Sequence, residues 1–409
     1  MVKTVILIGA GQRGRIYADY ALTHPHEMKV VGVAEPHEKR RNQFRDKHNL
    51  DASVCVENWQ DVFARDKWAD AVMICTQDTM HTEPVMAAIA KGYDILLEKP
   101  IAPTEKECLE IAAAAKAADT KIVVCHVLRY TPLFSQIKKM LTDGFIGDIV
   151  TFVHNENVGD THHAHSFCRG NWRNTKESTP MILAKSCHDM DIMQWLVGKR
   201  CTALSSFGSL KFFTEAYKPE GAPLRCTDGC PHDCPYDARK LYLQSDNEWF
   251  RGVTAGHANP TDAAVEESLK TGPYGRCVFQ CDNDVVDHQT VNMQFEDGIT
   301  AIFSMTSFTP EISRSLKIMG TRGQIKAHTA SPTIHYTNFV TREEKEIPIN
   351  EAKGGHDGGD EGIMKAFCQY LRDEISADDV SEVAISALNH QLCFKAEESR
   401  LAGGKLLTL

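Results

Sequence analysis

Val5-Ile6-Leu7-Ile8-Gly9-Ala10-Gly11-Gln12-Arg13-Gly14 is the stretch on which the fold turns. Val5–Ile8 reads as a buried strand and Arg13–Thr23 as a helix, with a GxGxxG turn between them. In such a turn the first glycine permits the sharp bend and the second lets backbone approach a pyrophosphate. The third allows close helix–strand packing, while the opening amides of the helix face the phosphates. Gly9, Gly11, Gln12, Arg13 and Gly14 are therefore expected to bind a dinucleotide. Lys29–Ala34 is the next strand, and Glu35 ends it about twenty residues on, where an acid binds the adenosine ribose hydroxyls. A carboxylate there repels a 2′-phosphate and favours NAD, while Arg40 and Arg41 close by leave NADP open.

Outward from this motif, strand and helix alternate. A charged helix follows from His37 to about Asn49, then strands at Ala71–Cys75 and Asp94–Leu97 with the helix Thr82–Lys91 between them. Thr104 with Glu107 makes a capping box for a helix through Ala118, and Lys121–Cys125 closes the series. Such alternation predicts an α/β fold with a doubly wound parallel sheet. Ligands bind at the carboxyl ends of its strands. Thr76, Gln77 and His81 follow the third strand there and are assigned to the cofactor. Glu98-Lys99-Pro100 follows the fourth: Glu98 is placed on the cofactor side, and Lys99 can relay a proton to or from an alcohol oxygen.

Beyond about Val127 the pattern changes. A helix (Leu133–Asp143) leads to strand-like runs at Ile149–His154, Thr202–Ser209, Thr290–Phe295, Thr300–Thr306 and Leu316–Met319. Glu296-Asp297-Gly298 and Gly320-Thr321-Arg322-Gly323 read as hairpins, and two helices end the chain. The expected organisation is a dinucleotide-binding domain over 1–127 and an α+β domain over 128–409. The latter holds an open, mostly antiparallel sheet and an irregular, Cys-rich insertion at about 212–287.

In Lys185-Ser186-Cys187-His188-Asp189-Met190-Asp191 the spacing of Lys185, His188 and Asp191 puts all three on one helical face. His188 is the natural acid–base near neutral pH, with Asp191 toward the substrate; a polar helix start, its amino end stabilised by Asp189 or Asp191, is the alternative. Arg169, Asn171 and Trp172, in a loop that also carries His162, His163 and His165, suit a polyhydroxylated ligand; a three-histidine metal site is the sharper alternative there. Cys226, Cys230 and Cys234 recur at four-residue steps, as do Cys277 and Cys281. Cys226, Cys230, Cys234 and Cys281 are the expected ligands of a structural zinc, with reduced buried thiols as the alternative.

The chain's 409 residues, 42% hydrophobic and 24% charged, describe a globular protein of about two domains. A net charge of −10 argues against a nucleic-acid partner. No apolar run approaches the roughly 20 residues that span a bilayer. The expected location is the cytoplasm, where the fourteen cysteines are thiols or metal ligands rather than disulfides.

Taken together, GAGQRG, TQDTMH, the EKP triplet and AKSCHDMD resemble the glucose–fructose oxidoreductase / inositol dehydrogenase (Gfo/Idh/MocA) family over essentially the whole chain. The resemblance implies an oxidoreductase passing a hydride between nicotinamide and a secondary alcohol of a sugar, glycoside or cyclitol. Lys99 would then assist proton transfer and His188 would be the acid–base. Many members carry an aspartate four residues before that histidine; here Ala184 stands there, which makes Lys185 the candidate partner. The family's crossover segment matches His126–Tyr130, so Arg129 and Tyr130 are implied at the substrate. Some relatives retain NAD and cleave glycosides by transient oxidation and elimination, and a non-enzymatic NAD sensor is the rival of another class. A homo-oligomer, dimer or tetramer, is expected because one face of an open sheet needs cover.

Overall fold

In the computed structural model, which describes residues 1–350 and 354–409, the first sheet has six parallel strands. They are β1 (Lys3–Ile8), β2 (Met28–Ala34), β3 (Cys55–Val56), β4 (Ala71–Ile74), β5 (Asp94–Leu97) and β6 (Ile122–Val124), in the order β3-β2-β1-β4-β5-β6. β1 pairs in parallel with both β2 and β4, so the strand order reverses beside it and a crevice opens at its carboxyl end. The two-residue side-chain period divides the core into two layers. Val5 and Leu7 pack with Tyr17, Phe44 and Phe367 on one face, while Ile6 and Ile8 pack with Val85, Ile111 and Val383 on the other. Thr104 caps the helix Glu105–Ala118 as its spacing predicts, its hydroxyl accepting from Glu107 N at 3.2 Å. The edge strand β3 and the short helix Trp59–Phe63 carry too little pattern to be read from sequence.

The second sheet has nine strands: β7 (Ile149–Asn157), β8 (Cys201–Ser209), β9 (His288–Phe295), β10 (Thr300–Thr306), β11 (Ser313–Gly320), β12 (Gly323–His328), β13 (Thr333–Asn338), β14 (Glu344–Pro348) and β15 (Leu407–Thr408). Their order is β14-β13-β12-β11-β7-β10-β9-β8-β15, and every pair is antiparallel except β7 with β10. Both expected hairpins form, β9–β10 and β11–β12. Alternation sets the inner face: Val291, Met293 and Phe295 are buried while Thr290, Asn292 and Gln294 are exposed. Met190, Met193 and Leu196 of the helix Cys187–Val197 share one core with that face, to which Phe152 of β7 and Phe303 of β10 also belong. The sequence reading places a hairpin after Met319 but names no strand beyond that turn; β12 to β14 continue the sheet there, and β14, at that edge, is too exposed and charged to show a core-facing pattern.

The Cys-rich insertion is not irregular throughout. It contains helices Ala238–Tyr242, Glu248–Ala255 and Asp262–Thr271 and two small cores, one around Phe213, Tyr236 and Phe279, the other around Tyr242, Phe250 and Leu269. The closing helices Gly359–Leu371 and Val383–Leu401 turn back onto the first sheet. Ile363 and Phe367 enter one of its layers and Val383 and Ala387 the other, and Glu382 bridges to Val123 of β6.

Candidate functional site

At the crevice beside β1, Gly9 has φ +92°, and a Cβ there would lie 2.6 Å from the Cys75 carbonyl oxygen. Gly14 packs so closely that a Cβ would meet the Gly9 carbonyl at 2.2 Å, whereas one on Gly11 would meet nothing within 4 Å. Gly11 thus faces an open cradle, and the helix Gln12–Thr23 begins over it with no side-chain cap on its first amides. Glu35 is buried at the loop end of β2, accepting from Ala10 N at 2.8 Å and His37 N at 2.9 Å, with Arg40 Nη2 3.3 Å away. Gln77 is exposed beyond β4, and Thr76 donates to Met80 O at 3.1 Å. These residues fit a dinucleotide. His81 does not face the crevice: fully buried, its Nδ1 lies 2.7 Å from Pro100 O and its Nε2 3.2 Å from Thr76 O. It ties the two strand-end loops together rather than touching the cofactor.

The EKP turn is fixed from below by charge. Glu98 accepts from Arg13 Nε at 3.0 Å, Tyr17 Oη at 2.9 Å and Lys99 N at 2.7 Å. Burial alone would raise its carboxyl, but the Arg13 and Lys99 charges and the hydrogen bonds from Arg13 and Tyr17 hold it below the ordinary range. Arg13 also donates to both oxygens of Asp360, at 2.6 and 3.0 Å. Arg13 and Glu98 therefore lock the fingerprint helix, the EKP turn and the C-terminal helix together. Lys99, half-buried, extends to the other sheet's side and donates to Ala184 O at 2.6 Å.

That contact places Lys99 against the second cluster. Lys185 does not share a helix with His188: it follows the short helix Met181–Ala184, and the next helix starts at Cys187. Lys185 Nζ sits 3.6 Å from Glu156 Oε1, its ammonium destabilised chiefly by burial. His188 is buried, with Nδ1 unpartnered among the described residues and its ring 5.9 Å from that of His126 and 6.2 Å from that of His356. Burial first, and then the Lys99 charge, push its pKa well below the ordinary histidine value, so the ring is neutral at pH 7. A neutral imidazole beside a lysine ammonium can accept an alcohol proton.

Asp191 points the other way. It is fully buried and takes a bidentate pair from Arg129 at 2.7 and 2.6 Å, plus Asn389 Nδ2 at 2.6 Å. Arg129 and Asp191 are thus paired with each other and hold the helix to the crossover segment, which corrects their expected place at the substrate. Tyr130 is likewise turned away, its hydroxyl meeting Ser381 Oγ at 3.1 Å and N at 3.0 Å. Asn171 and Trp172 do reach the strand-end loops: Asn171 donates to Gln77 Oε1 at 2.6 Å and Trp172 Nε1 to Asp78 Oδ1 at 3.3 Å. Arg169 lies away from the crevice, fully buried, donating to Arg276 O and Tyr236 O, both at 2.7 Å. The loop histidines are core: His163 donates to or accepts from Ser307 Oγ at 2.6 Å and stacks on Phe213, His165 stacks on Phe250 and Tyr274, and His162 packs edge-on against Trp249.

Among the described residues, no group of three His, Cys, Asp or Glu side chains is placed to hold a single metal ion. This corrects both the three-histidine site and the zinc set that includes Cys281. The Cys281 thiol donates to the Cys277 carbonyl at 3.3 Å.

Two parts of the site escape the sequence reading. Residues 354–359, to which the sequence reading assigns no role, set His356 (φ +47°) beside His188, with His356 Nδ1 3.0 Å from Asp360 Oδ1. Arg314 on β11 binds Asp189 at 2.7 and 3.0 Å and Glu156 at 2.8 Å, behind Lys185. The doubled glycines around His356 were an available signal; Arg314 offered none, because only the sheet register brings it there.

Comparison with known proteins accords with this geometry. A family model described as an oxidoreductase family with an NAD-binding Rossmann fold matches residues 3–126, and one for the GFO/IDH/MocA C-terminal domain matches residues 134–326. The putative oxidoreductase YteT of Bacillus subtilis (strain 168) is 24% identical over 313 residues, covering 72% of this chain and 71% of that protein. Inositol 2-dehydrogenase 4 of Saccharopolyspora erythraea is 27% identical over 212 residues, 49% of this chain and 55% of that protein. A crystal structure of an inositol dehydrogenase homolog from Azotobacter vinelandii, complexed with NADH and myo-inositol, superimposes with a TM-score of 0.70 at 13% identity, covering 100% of this chain and 98% of that one. At that identity the likeness is one of fold. Among the described residues no helix is long and apolar enough to cross a membrane.

Proposed function

The chain belongs to the Gfo/Idh/MocA family of oxidoreductases, with an NAD-binding Rossmann domain, and from that premise we propose that it dehydrogenates a secondary alcohol of a sugar, glycoside or cyclitol using NAD. The observation that carries this reading is Lys99 reaching from the cofactor crevice to Ala184 O, beside a His188 ring kept neutral by burial. When bound, nicotinamide supplies the hydride acceptor. Lys99 and Lys185 present positive charge where an alcohol oxygen gains negative charge as it loses its proton, and His188 takes that proton. His356, its ring 6.2 Å from that of His188, is assigned to substrate hydroxyls, while Asn171 and Trp172 brace the loop beyond β4 through Gln77 and Asp78. Glu35 at the ribose position favours NAD over NADP, although Arg40 beside it weakens the repulsion of a 2′-phosphate. A homo-oligomer joined through the outer face of the nine-stranded sheet, where Val150 and Ile302 are exposed, completes the reading.

The test is a panel of sugars, inositols and glycosides incubated with the full chain and NAD or NADP. Reduced nicotinamide appearing in proportion to alcohol consumed is the expected result. Release of aglycone without net cofactor reduction would replace this reading with redox-neutral glycoside cleavage. Turnover unchanged in both Lys99→Met and His188→Ala would remove the assigned proton chemistry.

A further inference from the structure

Arg169 is a fully buried guanidinium that forms no ion pair among the described residues. Its Nε and Nη2 donate to backbone carbonyls, while Nη1 has no partner among the described residues. Asp237, a carboxylate close by, is taken by Arg239 at 2.5 Å. Elsewhere in this molecule a buried arginine meets carboxylates, as Arg129 meets Asp191 and Arg314 meets Asp189 and Glu156. An arginine stays protonated at any accessible pH, and among the described residues no carboxylate bonds Arg169 directly, so an anion bound beside it would complete its pairing.

The space it faces is a small cavity lined by Cys226, Cys230, Cys234 and Cys277, with Phe279 in its apolar wall. Cys226 Sγ lies 3.7 Å from Arg169 Nη2. Cys226 and Cys277 are distant in sequence but are clamped together by backbone: Cys226 N donates to Gly275 O at 2.9 Å and Cys277 N to Leu224 O at 2.8 Å, about an Arg225–Arg276 bridge. Gly275 has to be glycine there, since a Cβ would fall 1.7 Å from Leu269 O. Tyr236 N donates to Cys234 Sγ at 3.4 Å, which holds that sulfur toward the same space. Four thiols therefore surround one space, with a cation behind them.

We propose that this cavity holds an iron–sulfur cluster ligated by Cys226, Cys230, Cys234 and Cys277, whose net negative charge is the missing partner of Arg169. A single zinc at about 2.3 Å from each sulfur would draw its ligands onto one point, and no three side chains among the described residues are so placed. A cluster keeps four cysteines apart around its own core. Its role is to join the insertion to the loop bearing Asn171 and Trp172, since Arg169 lies two residues before Asn171. This assignment is independent of the proposed dehydrogenase activity.

The untagged full chain, purified without oxygen, is assayed for iron, acid-labile sulfide and zinc, then treated with ferrous iron, sulfide and reductant and assayed again. About four iron and four sulfide per chain, with broad sulfide-to-iron absorption in the visible, is the expected result. Cys281→Ser should keep that absorption and Cys277→Ser should lose it. Because Cys277→Ser could also fail to fold, the iron and sulfide content of the unaltered chain decides the assignment. One zinc without sulfide, or a chain that takes up neither after reconstitution, would overturn it.

Discussion

Arg314 and Arg169 are both buried guanidiniums of the second domain, yet their surroundings are opposites. Arg314 is met by two carboxylates that also brace Lys185 and His154. Arg169 faces two carbonyls and four thiols. A buried charge with protein counter-ions is complete, and its job is to hold groups in place. Arg169 has no carboxylate of its own among the described residues, and the cluster proposed beside it would supply the missing charge. The crevice beside β1 is an intermediate case: Arg13 is fully paired with Glu98 and Asp360, while Lys99 and His188 at its mouth find only a carbonyl and neighbouring rings. In the proposed site Arg13, Glu98 and Asp360 form the frame, and Lys99 and His188 are the groups left to act on a ligand.

The sharpest way to break this distinction is at the under-paired end. Lys99→Met and His188→Ala should each lower kcat by about 10²- to 10⁴-fold with folding intact, measured by steady-state kinetics and circular dichroism. A change in KM alone would move these residues from proton transfer to binding.

At the paired end the loss should fall on stability. Asp191→Ala strands Arg129 in the core and should remove about 3–5 kcal/mol, read from urea unfolding. Activity in the folded fraction should change less than in the Lys99 variant. The pH dependence separates the two groups further. His126 and His163 are held neutral by burial, down to about 4, and His165 and His390 to about 3. In the unfolded chain they protonate near 6.5, so more protons are bound there and stability falls as pH drops from 6.5 toward 4. Above 6.5 the same groups contribute no slope. Thermal unfolding between pH 8 and 4 should therefore show a plateau followed by a decline, beginning before the paired carboxylates Glu98 and Asp191, both held below their ordinary range, start to protonate. The smallest effect is expected at Glu35→Ser, which should raise the kcat/KM ratio of NADP to NAD by about tenfold, or ~1.4 kcal/mol. Arg40→Ala in that background should take the gain back.

The first domain was legible because its information is local. Val5–Ile8, the three glycines and Glu35 lie within one strand–turn–helix–strand unit, and the structure keeps them in it. Lys99 and His188 were singled out by residue type and motif, but the contact of Lys99 with Ala184 that brings them together depends on tertiary packing. The misplacements have one common cause. Asp191, Arg129, Tyr130 and Arg169 are polar residues that the sequence offers to a substrate, and tertiary structure pairs or buries each of them. Periodicity cannot tell a polar residue facing a ligand from one facing a buried partner. Cys277 in place of Cys281 is the same lesson on a smaller scale, because only the pairing of residues 224–226 with 275–277 brings Cys277 to the other three thiols.

The return of the closing helices to the first sheet has a consequence for synthesis. Phe367 and Val383 complete both layers of a domain whose strands end at Val124, and His390 Nε2 accepts from Ile101 N at 3.0 Å. A nascent chain emerging from the ribosome therefore carries the whole nucleotide fingerprint long before it can bury the apolar face beneath it. Contacts this far apart in sequence close late and slowly. Chains cut before the last two helices should accumulate as aggregates rather than as a free-standing nucleotide-binding domain.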